Sequence, residues 1–241
     1  MTVAMRSDEG AVGLLEQGEL EVLGVLPRAS NYTFLARVAA NGEEAMSVYK
    51  PRSGEAPLWD FPDGTLCNRE VAAYLVARSL GWPAVPPTVL RDGPEGPGSV
   101  QLFVEFDPNE HFFTLRDRFA EEFRRIAAFD AIVNNADRKG GHCLLGTDGR
   151  VHVIDHGVCF HSEPKLRTVV WDFAGESLPD DLSADIERLS GELSDGEIGR
   201  SLAPLLQEGE VKALSARTRE LSEGRRFPEP GRGRPYPWPM I

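Results

Sequence analysis

The sequence predicts an α+β protein, with antiparallel strands filling most of the first 106 residues and helices most of the remainder. Three observations carry this. Alternating apolar segments broken by turn residues fill the N-terminal part, and Asn41-Gly42 is the strongest hairpin signal among them. Apolar residues recur at helical spacing from Leu66 to Leu80 and in four segments after Thr114. Between Asn134 and Phe160 the chain reads NNADRKGGHCLLGTDGRVHVIDHGVCF, in which two polar motifs flank an alternating stretch and an Asp148-Gly149 turn. That pattern is a second hairpin, and it brings Asp137 and Asp155 to the same end.

In chain order, Leu14 to Gly18 closes a short helix, and Leu20 to Leu26 is a strand. Pro27 to Tyr32 supplies turn chemistry, Thr33 to Val38 is the next strand, and Ala45 to Lys50 is a third that ends on a lysine. Residues 52–64 read as loop. Thr65 is the expected N-cap of the Leu66–Leu80 helix and Gly81 its stop. Thr88 to Leu90 is a strand, Asp92 to Gly98 a turn, and Ser99 to Phe106 a strand. Thr114 to Asn134 follows as a single helix with a broad apolar face. Leu182–Leu193, Asp195–Leu206 and Glu208–Leu221 are three amphipathic helices, and the Pro-, Gly- and Arg-rich residues 225–241 form either an ordered arm or a disordered tail. The expected divisions are residues 1–106, 107–224 and 225–241.

With 38 acidic against 26 basic residues the chain carries a formal charge of −12, which repels a polyphosphate backbone and argues against nucleic acid as a partner. No run of about 18 apolar residues offers a membrane span, and Met1 to Val12 lacks a signal-peptide pattern, so a cytoplasmic location is expected. Three irregularly spaced cysteines are read as reduced.

The chemistry concentrates in a few side chains. Two carboxylates, Asp137 and Asp155, beside His142 form a candidate site for a cation and a phosphate. Lys50 on a strand and Glu70 on a helix are placed to pair across a cleft, and Ser30 and Asn31 occupy a loop of a sheet able to cover a ligand. All five histidines fall between His111 and His161, which leaves open a metal-dependent phosphohydrolase. The PYPWP string in the tail leaves open a nucleotide-binding module that docks on a partner.

Taken together, the order Ser30/Asn31, Lys50, Glu70, Glu105/Phe106, Asp137, His142, Asp155 resembles the protein-kinase-like fold, closest to its phosphatidylinositol 3- and 4-kinase-like branch and the HipA-type kinases. It also looks like an actinobacterial family distantly similar to those lipid kinases. The resemblance implies a small β-sheet lobe plus one helix over a mainly helical lobe, with ATP and Mg2+ (or Mn2+) between them and a small-molecule or protein acceptor. It implies phosphate contact for Lys50, positioned by Glu70, and adenine contact at Glu105 and Phe106. Asp137 and Arg138 become catalytic, and Asp155 and His142 cation ligands. His142 stands where the family carries Asn; an imidazole nitrogen is a softer donor than an amide oxygen.

Overall fold

The computed structural model describes residues 8–27, 31–82 and 84–241. A five-stranded antiparallel sheet is built from β1 (Glu19–Val25), β2 (Phe34–Ala40), β3 (Glu43–Pro51), β4 (Thr88–Gly93) and β5 (Gly96–Leu102), in the spatial order β1-β2-β3-β5-β4. Asn41 and Gly42 both take positive φ, 53° and 80°, the backbone that a two-residue turn needs to match strand twist. Helix α1 (Asp8–Gln17) lays Leu14 and Leu15 on one face of the sheet, closing a small core with Leu20, Ala36, Val38, Tyr49, Val89 and Val100.

The stretch read as a turn from Asp92 to Gly98 is mostly strand. Only Pro94 and Glu95 lie outside β4 and β5, and Asp92 pairs with Pro97. Gly98 explains the composition: a Cβ there would lie 2.4 Å from the Lys50 carbonyl oxygen, so only glycine lets β5 approach β3 at this register.

Helix α2 (Leu66–Leu80) ends at Gly81 in the left-handed region, φ 73°. Its N-terminus is capped otherwise than expected. The Thr65 hydroxyl donates to the Pro62 carbonyl, and Glu55, ten residues earlier, accepts from the amides of Leu66 (3.1 Å) and Cys67 (2.8 Å). A carboxylate at this position satisfies two orphan amides and complements the positive end of the helix dipole. From Ala72 onward the buried face of α2 belongs to the larger core, with the helices that follow.

The single helix expected from Thr114 to Asn134 is two, α3 (Phe112–Leu115) and α4 (Ala120–Val133); Asn134, at φ 53°, caps the second. Strand β5 ends at Leu102, four residues before the expected end, and the chain then pairs with the hairpin of β6 (Cys143–Leu145) and β7 (Val151–Val153). Helices α5 (Asp180–Asp195), α6 (Glu197–Leu202) and α7 (Glu208–Gly224) complete the larger core. The tail is an ordered arm. Phe227 is buried, the Pro235 carbonyl accepts from the Thr168 amide and the Trp171 indole, and the Met240 carbonyl accepts from the Gly140 amide at 2.7 Å. Trp238 is 79% exposed and takes no part in this attachment. The three cysteines are free and buried.

One buried ion pair ties α2 to α7. Arg69 donates to Glu210 at 2.5 Å and to the Cys159 carbonyl at 2.7 Å, both side chains being almost fully enclosed. Removing one partner leaves the other charged and dry, so Arg69→Met is expected to lower stability by about 3–5 kcal/mol. Arg69→Met/Glu210→Leu should recover most of that loss; urea unfolding of the two variants measures both.

Candidate active site

Strand β3 and helix α2 present Lys50 and Glu70 to one another, and β7 delivers Asp155 to the same point. The Lys50 ammonium lies 2.5 Å from Glu70 Oε1 and 3.0 Å from Asp155 Oδ1. Burial opposes the charge on Lys50, but the two carboxylates outweigh it and raise its pKa. The same ammonium holds the Asp155 carboxyl well below the usual range. Asp155 sits at φ 64°, a left-handed conformation that Asp tolerates better than most residues, and its side chain is 49% exposed. Gly157 faces α2, where a Cβ would make ordinary contact with Leu66 and Glu70 Oε1 at 3.4 and 3.6 Å. Glu70 Oε2 accepts from the His156 amide, fastening the Asp155-His156-Gly157 turn to the helix.

The loop after α4 is held from within. Asn135 accepts from the Asp137 amide (2.9 Å) and donates to Asp130, while Asn134 donates to the carbonyls of His161 and Glu163 and accepts from the Lys165 amide. The two asparagines are therefore scaffold for the loop and for the segment beyond Phe160. Asp137 keeps its carboxylate partly exposed, with the Lys139 ammonium 3.0 Å away. Burial raises its pKa, against the opposing pull of Lys139.

Arg138, expected among the catalytic residues, faces the interior. It is 0% exposed, its Nε and Nη2 donate to Asp130 at 3.0–3.1 Å, and its Nη1 donates to the Ile154 carbonyl at 2.9 Å. Its Nη2 also meets His156 Nε2 at 2.7 Å. A guanidinium has only donors, so His156 accepts at Nε2 and carries its proton on Nδ1, which lies 4.0 Å from Glu70 Oε2. Burial, then Arg138, drives the His156 pKa well below the ordinary value, so the ring is neutral.

His142 packs against the same carboxylate. Its Nδ1 lies 3.4 Å from the Lys139 amide, which donates to it, and its Nε2 lies 3.4 Å from Asp155 Oδ2. Burial pushes its pKa down to about 4, so this ring too is neutral. A divalent cation suits the cleft in one respect: Asp155 is ionised and half exposed. Among the described residues, however, no three His, Cys, Asp or Glu side chains converge as a ligand set. Such a sparse donor set matches a hard cation that takes most of its ligands from phosphate and water. It lacks the donors of a resident zinc centre.

The remaining expected residues are dispersed. Asn31 accepts from the Ala56 amide (2.8 Å), tying the β1–β2 loop to residues 52–64, and Ser30 lies outside the described residues. The Glu105 carbonyl accepts from the Thr147 amide, and Phe106 bridges to Gly146, so both lean on the β6–β7 turn. Sequence reasoning missed Lys139, Asp130 and His156. The string Asp137-Arg138-Lys139 carried a signal for the first; a lone acid within an apolar helix face carried one for the second.

Comparison with known proteins fits this geometry. The phosphatidylinositol 3- and 4-kinase family profile matches residues 84–203. Protein Rv2133c of Mycobacterium tuberculosis is 41% identical over 276 aligned positions, covering 100% of this chain and 98% of that protein. Phosphatidylinositol 4-kinase gamma 4 of Oryza sativa subsp. japonica is 29% identical over 168 positions, which span 55% of this chain and 30% of the plant protein. Among solved structures, hydra Fam20 with sugar superposes with a TM-score of 0.55 at 12% identity, covering 92% of this chain and 91% of that one. A Golgi casein kinase gives 0.50 at 13% identity, covering 90% and 74%. These superpositions establish a protein-kinase-like α+β fold. On the strength of the mycobacterial relative, the chain belongs to that protein's family, an actinobacterial group distantly similar to the phosphatidylinositol 3- and 4-kinases.

Proposed function

We propose that the protein is an ATP-dependent phosphotransferase that moves the γ-phosphoryl group to a hydroxyl on a small-molecule or protein acceptor. The observation that carries this reading is Lys50 held between Glu70 and Asp155, with Asp137 and Lys139 on the adjoining loop. Phosphoryl transfer asks a protein chiefly for positioning and for positive charge at the phosphates. Lys50, fixed by Glu70, supplies a permanent ammonium. Asp155 would hold Mg2+ or Mn2+, which when bound neutralises phosphate charge. Asp137, its pKa raised by burial, accepts or orients the proton of the attacking hydroxyl. Lys139 balances Asp137 and stands ready for the transferred group. The adenine edge meets main chain at Glu105 and Phe106, where the Glu105 carbonyl, already accepting from the Thr147 amide, keeps a second lone pair. Arg138 acts through its neighbours as a positioning residue.

Incubated with γ-labelled ATP, Mg2+ and candidate acceptors, the protein is expected to transfer label. Asp137→Ala should cut the rate about 10²–10⁴-fold while leaving thermal stabilisation by ATP intact, and Asp155→Ala should abolish transfer. Stabilisation by ATP without any transfer identifies a binding module instead, and no stabilisation by ATP or ADP with metal rejects the nucleotide altogether.

Lys139 lowers the Asp137 pKa, so Lys139→Met raises it further. The acid limb of the pH–rate profile, where Asp137 takes up its proton, is then expected to move to higher pH. Arg138→Ala should behave differently from both active-site aspartates: it strands Asp130 in the interior and costs about 3–5 kcal/mol of stability, read as a lowered unfolding midpoint in urea.

A further inference from the structure

We infer that residues 52–64 form a strap that couples the nucleotide side of the cleft to its acceptor side, and that the ion pair of Asp60 with Lys165 is its latch. The inference rests on the phosphotransferase reading above and adds a pair of positioning residues to it. The strap leaves β3 just after Lys50 and enters α2 about one turn before Glu70, so the two members of that pair stand at its ends. Its near part is fixed by Asn31, which accepts from the Ala56 amide, and by Glu55, which accepts from the first amides of α2. Its far part reaches the segment past Phe160 through three consecutive residues. Asp60 Oδ2 lies 2.9 Å from the Lys165 ammonium, the two side chains being only 17% and 11% exposed. The Phe61 ring meets the His161 ring edge-on, centroids 5.3 Å apart, and the Arg69 guanidinium lies 4.8 Å from the Phe61 centroid. Trp59 turns outward, 94% exposed, with Lys165 Nζ 5.3 Å from its ring centre.

The gripped segment is stitched in turn to the loop of Asp137. Asn134 accepts from the Lys165 amide at 2.8 Å, the Arg167 amide donates to the Asn135 carbonyl at 2.8 Å, and the Arg167 carbonyl accepts from the Arg138 amide at 3.0 Å. A continuous set of contacts therefore runs from Lys50 and Glu70, through the strap, to the backbone beside Asp137. The latch is the charged joint in that set. Water is largely kept from it, so its two charges attract more strongly than an exposed pair, and removing either leaves the other poorly solvated. Coupling of this kind is reciprocal: a nucleotide that steadies Lys50 and Glu70 steadies residues 161–167, and a loosened segment weakens the hold on the nucleotide.

Hydrogen–deuterium exchange and calorimetric titration, both with Mg2+ and a non-hydrolysable ATP analogue, test the latch without turnover. In the wild type the analogue is expected to slow exchange across residues 161–167. Asp60→Asn and Lys165→Met should each abolish that slowing and weaken analogue binding about fivefold or more, the low end of coupling between sites. The double variant should be no worse than either single one, since both changes remove the same link. Either single variant suffices if the other fails to fold. Slowing that persists in a folded single variant, unchanged analogue affinity, or losses that add in the double variant overturn the latch and leave the nucleotide reading standing. An analogue that binds the wild type without slowing exchange in the segment does the same. No analogue binding by the wild type overturns the nucleotide reading and this inference with it.

Discussion

The Arg138–Asp130 pair is the constraint around which the site is arranged. Both side chains are fully buried, and two charges taken out of water are tolerated only when their remaining hydrogen-bonding capacity is met. Here it is. Asp130 accepts from Arg138, Asn135 and the Thr168 hydroxyl, and Arg138 spends its other donors on the Ile154 carbonyl and His156. Those partners come from α4, from the loop after it, from the residue that follows β7 and from the segment past Phe160. One guanidinium therefore fixes the relative positions of the loop bearing Asp137 and the turn bearing Asp155. Because an arginine fork is planar and rigid, it sets angles as well as distances.

Against that rigid base the cleft itself is a balance of opposite charges. The molecule carries twelve excess negative charges, and the cleft sets Lys50 and Lys139 against three carboxylates, those of Glu70, Asp137 and Asp155. The local field, set within a few ångströms and partly shielded from water, decides what enters. Histidines contribute shape more than charge: His156 is buried and His142 is partly buried, and desolvation keeps both neutral.

Much of this was legible in the chain because it is local. Turn chemistry at Asn41-Gly42 and Asp148-Gly149, and apolar spacing from Leu66 to Leu80, specify elements without reference to the rest of the protein. The pairing of Lys50 with Glu70 followed from strand and helix taken in order. Three features were hidden for one reason, that their partners are far away in sequence or lie on irregular backbone. Glu55 caps α2 from a loop that has no periodicity. Arg138 follows Asp137 directly but points the opposite way, and no repeating pattern tells which side of a loop a residue takes. Residues 92–98 have the composition of a turn, yet they are strand because Gly98 allows a close approach that only the folded sheet reveals. Asn134 and Asn135 illustrate the converse: polar residues beside a site, built into its frame.

Beyond Phe227, whose ring is buried in the larger core, the C-terminal arm is attached through main-chain oxygens. Pro235 and Met240 offer carbonyls to Thr168, Trp171 and Gly140, while the side chains of Tyr236, Trp238 and Ile241 face outward. Attachment of this kind is indifferent to side-chain identity, since every residue brings the same acceptor. The path of this stretch therefore depends little on which side chains it turns outward. Substitutions at those outward positions would change the surface beside the Gly140 loop without moving the loop itself.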